Sequence, residues 1–372
     1  MILMTLSALP LTGCWDYHKI NERTPIIGIG ADPVEGDDKK IAFTFQVQQY
    51  TESMGGKSQG GASESQTPTQ FKNYRVISSD LHTAIATAQT LSTKKFYLGD
   101  FNLLLISRHL KAPQVKKVVL EFTRDSSSDR LAYFFCADKS AFDILNLTGT
   151  QISPADAIHE QLESSDMQRA YITRTKVWEF WRDTLRIGVQ PKLGILKVND
   201  KTFDSAGTEA FSRYQPSAKL DRQETVFFHL FNDNLREMSF TIPDHDQSFE
   251  VHHVSSRSHI SVKHKTGSTI LYDHIVISAT LSNDENDNRF PLSKNEIHRY
   301  EQVMKSYMQQ QGLRVMHRLQ KRKLDIYGFG QYEVVSHPEK LQQISNKWAT
   351  YFANAQSQIQ IEVHINHTGT LM

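Results

Sequence analysis

The chain has 372 residues, with 42 Lys and Arg against 41 Asp and Glu and a formal net charge of +1. That length holds two or three domains with a sizeable core, and the charge balance gives no sequence-wide reason to expect nucleic acid as a partner. Two cysteines exclude the disulfide framework of small secreted domains, and no stretch after residue 14 approaches the ~20 apolar residues of a membrane-spanning helix.

Residues 1–13, MILMTLSALPLTG, are uncharged and largely apolar, too short to span a bilayer but matching the apolar core of a secretory signal peptide. They end in Leu11-Thr12-Gly13 before Cys14. Small residues ahead of a cysteine form a lipobox, so Cys14 is expected to take a diacylglyceryl group and become the first residue of the mature chain. Two acyl chains anchor stably, because each buried methylene contributes about 0.8 kcal/mol and one chain is marginal. Residues 14–23 then form a lipidated tether. This lipid is the one non-protein group expected; no cofactor and no metal are.

TPIIGIGADP (24–33) reads as a strand, and KIAFTFQVQQY (40–50) alternates apolar and polar residues as its hairpin partner. Gly28 and Gly30 do not make a dinucleotide loop, since the third glycine and the following helix are missing. Residues 53–70 are rich in Gly, Ser and Gln and are expected to be a mobile loop. Leu81, Ile85, Ala88 and Leu91 show helical spacing behind a Ser79/Asp80 cap. FNLLLISRHL and RLAYFFCAD read as buried strands flanking the helix APQVKKVVLEFTRD, with Cys136 as a packing residue. Helical patterns cover about 154–187, with Trp178 and Trp181 expected to face the core.

A composition break at GVQPKLG (188–194) sets the expected border between an N-terminal mixed α/β part, 24–190, and a C-terminal part, 191–372. In the latter, residues 249–281 read as a β-meander whose first hairpin turns at SSRS, placing Glu250 opposite Lys263. Six histidines lie between 245 and 274, but neighbours on a strand point to opposite faces, so exposed strand histidines are expected rather than a metal site. Ser293 and Glu296 form a capping box for a helix that bends or breaks at Gly312. The basic run HRLQKRK, with Arg318 and Lys321 to Lys323, reads as its solvated end. Gly328 and Gly330 flank Phe329 in a turn that stops this helix. A last helix with Leu341, Ile344, Trp348 and Phe352 on one face leads to QIQIEVHI, a strand with Ile359, Ile361, Val363 and Ile365 inward.

The ordered set of these features resembles the Ger(x)C lipoproteins, the C subunits of nutrient germinant receptors in spore-forming Gram-positive bacteria. The carrying residues are the lipobox with Trp15 and Asp16, the Gly28/Gly30 strand, and FYLGDFNLLLISRHL with Gly99. They continue with EFTRD (Arg124, Asp125), SAGTEAFSRYQPSAKL, and KLDIYGFGQY (Asp325, Gly328, Gly330) with Trp348 downstream. Asp100 stands where the family often has histidine. The resemblance implies an α+β body of about three domains, each a β-sheet with packed helices. That body would be lipid-anchored on the outer face of a membrane, in spores the inner one. It would act in germination with integral membrane A-type and B-type receptor subunits, and no catalytic activity is attached to the family. The competing readings are a solute-binding lipoprotein of a transporter, which needs two doubly wound lobes, and a cell-wall hydrolase, which needs a converging carboxylate or metal set.

Overall fold

The computed structural model describes residues 23–49, 70–99, 101–124, 129–150, 152–164, 170–232, 235–244, 247–265, 268–281 and 292–366. Residues 1–22, 50–69, Asp100, 125–128 and 367–372 are outside this set, and with them the signal peptide, the lipobox, all of the tether but Arg23, and nearly all of the polar loop expected at 53–70.

Strands β1 (Arg23–Val34), β2 (Asp37–Gln49) and β3 (Gln70–Ser78) form an antiparallel meander, with Ala31 opposite Phe43 and Phe43 opposite Val76. Helix α1 (Leu81–Gln89) starts at Asp80, whose carboxylate accepts the Thr83 N–H at 2.8 Å. It leads to β4 (Lys95–Tyr97), which runs parallel to the first residues of β1. Strand β5 (Leu103–Ser107), helix α2 (Ala112–Arg124), strand β6 (Tyr133–Ala137), helices α3 (Ala141–Leu145), α4 (Pro154–Ser164) and α5 (Val177–Leu185), and strand β7 (Lys192–Asn199) follow. β1, β5, β6 and β7 are parallel neighbours, and β8 (Thr202–Ser212) and β9 (Gln215–Leu220) extend the sheet antiparallel.

Because helices cover both faces, the central strands are apolar throughout instead of alternating. Leu104 and Ile106 face α1, α2 and α5, while Leu103 and Leu105 face α3 and α4. Gly28 and Gly30 lie where β1 passes closely under α3 and α4, against Leu145, Ala141 and Ala155. The Asp32 carboxylate on β1 accepts the Ala141 and Phe142 N–H groups at 2.7 and 2.9 Å, so the strand caps the helix that covers it.

The second sheet begins after α6 (Arg222–Asn232) and is ordered β10 (Phe240–Asp244), β11 (Gln247–Lys265), β12 (Ser268–Leu281) and β13 (Gln356–Asn366). Between β12 and β13 come α7 (Lys294–Arg322), α8 (Phe329–Ser336), a 3₁₀ turn at Pro338–Lys340 and α9 (Leu341–Asn354). The fold class is therefore α+β, sheets with packed helices, and the described strands gather into two sheets. β13 is parallel to β12 and buries Ile359, Ile361, Val363 and Ile365 as its alternation requires.

Several expectations are corrected. The break at 188–194 does not end the first sheet, because β7 bonds to β6 and carries the sheet on to Leu220. SSRS is not a turn: β11 runs unbroken through it, and Lys263 pairs with Ile270, not Glu250. The serines are accommodated by partners, the Ser258 hydroxyl meeting the Phe231 carbonyl at 2.9 Å. Helix α5 turns Val177, Phe180 and Asp183 inward and leaves Trp181 exposed, with Trp178 half-buried. Leu91 and Leu341 are also exposed.

Helix α7 opens on the expected capping box, Ser293 N–H donating to Glu296 at 2.8 Å and Glu296 N–H to Ser293 at 3.3 Å. It then continues for 29 residues without breaking at Gly312. The reason is packing: a Cβ on Gly312 would lie 2.4 Å from the buried Phe231 ring of α6. Alanine is favoured over glycine in a helix by about 1 kcal/mol, yet here Gly312→Ala should lower stability by about 1–3 kcal/mol through overpacking. Urea unfolding of the two proteins checks this; a stabilised variant would show that α6 and α7 do not meet so closely.

Candidate functional site

The segment between α7 and α8 brings together residues that the sequence analysis singled out separately. α7 ends at Lys323 in the left-handed conformation, φ 60°, and Gly328, φ 88°, precedes α8. The Asp325 side chain lies between them, buried. Its Oδ1 accepts the Gly328 N–H at 2.8 Å; its Oδ2 accepts the Gly330 N–H at 2.9 Å and the Trp348 indole N–H at 2.8 Å. Three backbone and indole donors thus converge on one carboxylate, at a helix N-terminus whose dipole also favours negative charge.

The Asp325 backbone reaches across to the first sheet. Its N–H donates to Gln190 Oε1, and its carbonyl accepts the Gln190 N–H at 2.9 Å. The Gln331 N–H donates to the Gly188 carbonyl at 2.9 Å. A Cβ on Gly330 would stand 2.5 Å from Gly188 Cα and 2.4 Å from Trp348 Nε1, so only glycine permits this approach. The sequence break at 188–194 is thus a strap held by the DIYGFG turn. Phe329 is fully buried, which makes it a core residue.

Burial pushes the Asp325 carboxyl up to about 6, against the pull of the N–H groups that bind it. Next to this turn, burial raises Asp273 on β12 to about 7. Its Oδ1 lies 2.7 Å from the Ser258 hydroxyl, which carries one proton and also faces the Phe231 carbonyl. A protonated Asp273 satisfies both contacts, donating to Ser258 while Ser258 donates to Phe231. The Tyr327 hydroxyl is buried and finds no partner among the described residues; burial above all holds it protonated.

On the other side of α8, Glu333 is buried against His264 of β11 at 2.8 Å and Lys340 at 3.2 Å. Burial would raise its carboxyl, but these two partners outweigh burial and hold it low. None of these groups has a nucleophile beside a base and an open cleft, and the Asp325 oxygens are taken up by fixed donors. The arrangement fastens elements together.

Of the other singled-out residues, Gly99 is exposed and Arg124 ends α2. Cys14 with its lipobox, Trp15, Asp16 and Asp125 lie outside the described residues. Burial raises the Cys136 thiol well above its usual range, fitting a packing residue. Among the described residues no three His, Cys, Asp or Glu are placed to share a metal ion. Arg318 is committed to Glu224 and to the Lys219 carbonyl, at the rim of a polar cleft of about 470 Å³ that also includes Arg108, Glu209 and Arg322.

Gln190, Gly188, Ser258 and Asp273 escaped the sequence reading because their partners are distant in the chain. His229 did too: its Nε2 meets Thr173 at 2.8 Å and its Nδ1 the Ala170 carbonyl at 3.0 Å, inside the core.

Comparison with known proteins finds two family models that divide the chain. One, described as the spore germination protein N-terminal domain, matches residues 16–198. The other, described as spore germination B3/GerAC like, C-terminal, matches 206–369. Among curated proteins of Bacillus subtilis (strain 168), spore germination protein A3 is 24% identical over 380 residues, covering 100% of this chain and 98% of its own. Spore germination protein KC is 20% identical, covering 99% and 95%, and spore germination protein B3 is 22% identical, covering 99% and 97%. The crystal structure of the GerBC protein shares the fold with a TM-score of 0.55 at 16% identity, over 91% of this chain and 97% of that one.

The raised Asp325 carboxyl gives a signed pH effect. The folded state keeps this proton to about pH 6, whereas the unfolded chain releases it near 3.8. The folded state therefore binds more protons across that window, and stability from this group is fully present below it and lost as pH rises. The loss reaches up to about 3 kcal/mol. Asp325→Asn has no such titration, so the stability gap between wild type and variant should narrow between pH 4 and pH 6 in urea unfolding. Parallel curves over that range would mean that Asp325 stays ionised throughout.

Proposed function

The chain belongs to the spore germination B3/GerAC-like family, and we propose that it is the lipoprotein subunit of a nutrient germinant receptor, required for spore germination. The observation that carries this reading is the pair of family models, which between them take in both halves of the chain, 16–198 and 206–369. A match to one half would leave room for a different partner domain. Here the two matches follow one another along nearly the whole chain.

In this reading Cys14 carries the diacylglyceryl and acyl lipid, and Leu11, Thr12 and Gly13 guide its processing. The body is then held at the outer face of a membrane, the inner membrane in a spore, and works beside integral membrane A-type and B-type receptor subunits. Its role is non-enzymatic. The buried polar arrangement around Asp325 spends its carboxylate on fixed backbone and indole donors, which suits a module that supports a contact rather than one that turns over a substrate.

Replacing Cys14 by Ala in the full chain tests the anchor and the function together. The variant should leave the membrane fraction, and spores carrying it as their only copy should lose most of their nutrient response while still germinating with a receptor-independent trigger. Retention of the variant in the membrane fraction would overturn the lipid attachment. Unchanged nutrient germination in spores lacking the whole gene would overturn the receptor role.

A further inference from the structure

The exposed large apolar side chains of the body are not scattered evenly. Ten are recorded among the described residues, and five of them, Leu91, Tyr97, Leu131, Trp181 and Leu185, belong to elements at one edge of the first sheet. That edge is defined by register. β4, carrying Tyr97, pairs with Arg23 to Pro25, the first residues of β1. β5 and β6 start alongside, Gly28 opposite Leu103 and Leu103 opposite Tyr133.

Leu131 immediately precedes β6. Lys176 bridges to Tyr133, and the Val177 and Trp178 N–H groups donate to Ala132 and Arg130, so α5 with Trp181 and Leu185 springs from the same edge. Leu91 follows α1, whose Gln89 holds the Lys94 carbonyl and the Phe96 N–H.

Basic side chains outnumber acidic ones at the same edge: Arg23, Lys94, Lys95, Arg130, Arg174 and Lys176 stand there against Asp129, Asp156, Glu163 and Glu179, and the Glu179 carboxylate accepts the Lys176 N–H as part of the helix cap. The Arg23 guanidinium lies 5.4 Å from the Tyr97 ring centre. Aromatic rings with one apolar and one polar end, leucines, and flanking Lys and Arg are the composition that settles at a membrane–water interface.

The chain outside the described body says which surface this is. β1 begins at Arg23 on this edge, and Cys14 lies nine residues before it. Nine extended residues reach at most ~30 Å, so a lipid on Cys14 keeps this edge, and not the β1–β2 hairpin tip at the opposite end, close to the bilayer.

We propose that the edge of the first sheet where β1 begins, with Leu91, Tyr97, Leu131, Trp181 and Leu185, rests in the headgroup region of an anionic phospholipid bilayer. The proposal builds on the lipid attachment at Cys14. It adds that the body is oriented on the membrane rather than swinging on its tether, which leaves the opposite end of the first sheet, at Val198 and the β1–β2 tip, facing away.

The test uses the full lipidated chain on vesicles of phosphatidylcholine and phosphatidylglycerol. Single cysteines, Leu131→Cys, Trp181→Cys and, at the far end, Val198→Cys, are labelled with an environment-sensitive fluorophore. Cys136 is fully buried and Cys14 is acylated, so neither competes. Tyr97→Cys replaces either edge position should that variant fold poorly.

The expected result is a blue shift and loss of most aqueous iodide quenching at 131 and 181, growing with the phosphatidylglycerol fraction, while the label at 198 stays fully quenched. Protein that sediments with vesicles but is quenched equally at all three positions overturns the orientation and leaves the anchor intact. Protein that does not sediment with vesicles overturns the anchor and the proposal with it. Protection at 131 and 181 that appears only when the membrane subunits are added overturns the lipid assignment in favour of a protein contact.

Discussion

The carboxylate of Asp325 has been taken out of water, a step that costs several kcal/mol unless fixed donors replace the lost hydration. Its replacements come from three places that must be correct together. The Gly328 and Gly330 N–H groups exist in this orientation only if α8 starts where it does, and the Trp348 indole only if α9 folds back over it. The Asp325 backbone in turn grips Gln190, so the first sheet's 188–192 segment is part of the same lock. Satisfying one buried charge thereby fixes α7, α8, α9 and the approach to β7 relative to one another.

Other contacts tighten the same region from its flanks. Glu333 ties α8 to β11 through His264, and Gln320 on α7 donates to the Phe352 and Ala355 carbonyls at 2.8 Å each, closing the end of α9. Gly312 lets α7 sit directly on Phe231, and the buried core of the second sheet runs on to Ala210, Ala218 and Leu220 of the first. One buried core thus joins the second sheet to the end of the first.

Legibility in the sequence followed the range of the interactions. The Ser293/Glu296 capping box and the alternation of β13 were readable because each is settled within a few residues. SSRS was misread because serine-rich composition is a turn signal, whereas Ser256 and Ser258 are held inside β11, Ser258 by partners 15 and 27 residues away. Gly312 was read as a breaker because nothing local reveals the Phe231 ring that occupies the space of its side chain. Trp181 was assigned to the core on its helical spacing, but Phe180 and Val177 claim that face and the neighbouring position turns outward. The motif residues Asp325, Gly328, Gly330 and Trp348 were recognised as a set without a reason for being one; the reason is the shared carboxylate.

By itself the sequence determined the α+β class, the strand and helix types where periodicity was strong, and the resemblance that led to the family. These depend on composition, spacing and local capping, which the chain carries in order. Only the tertiary structure decided that the strap at 188–194 joins rather than divides, that β11 is one long strand, and which apolar residues are left outside at the edge where β1 begins. Those outcomes rest on register and on contacts between residues more than a hundred positions apart, such as Gln190 with Asp325, and no local pattern contains them.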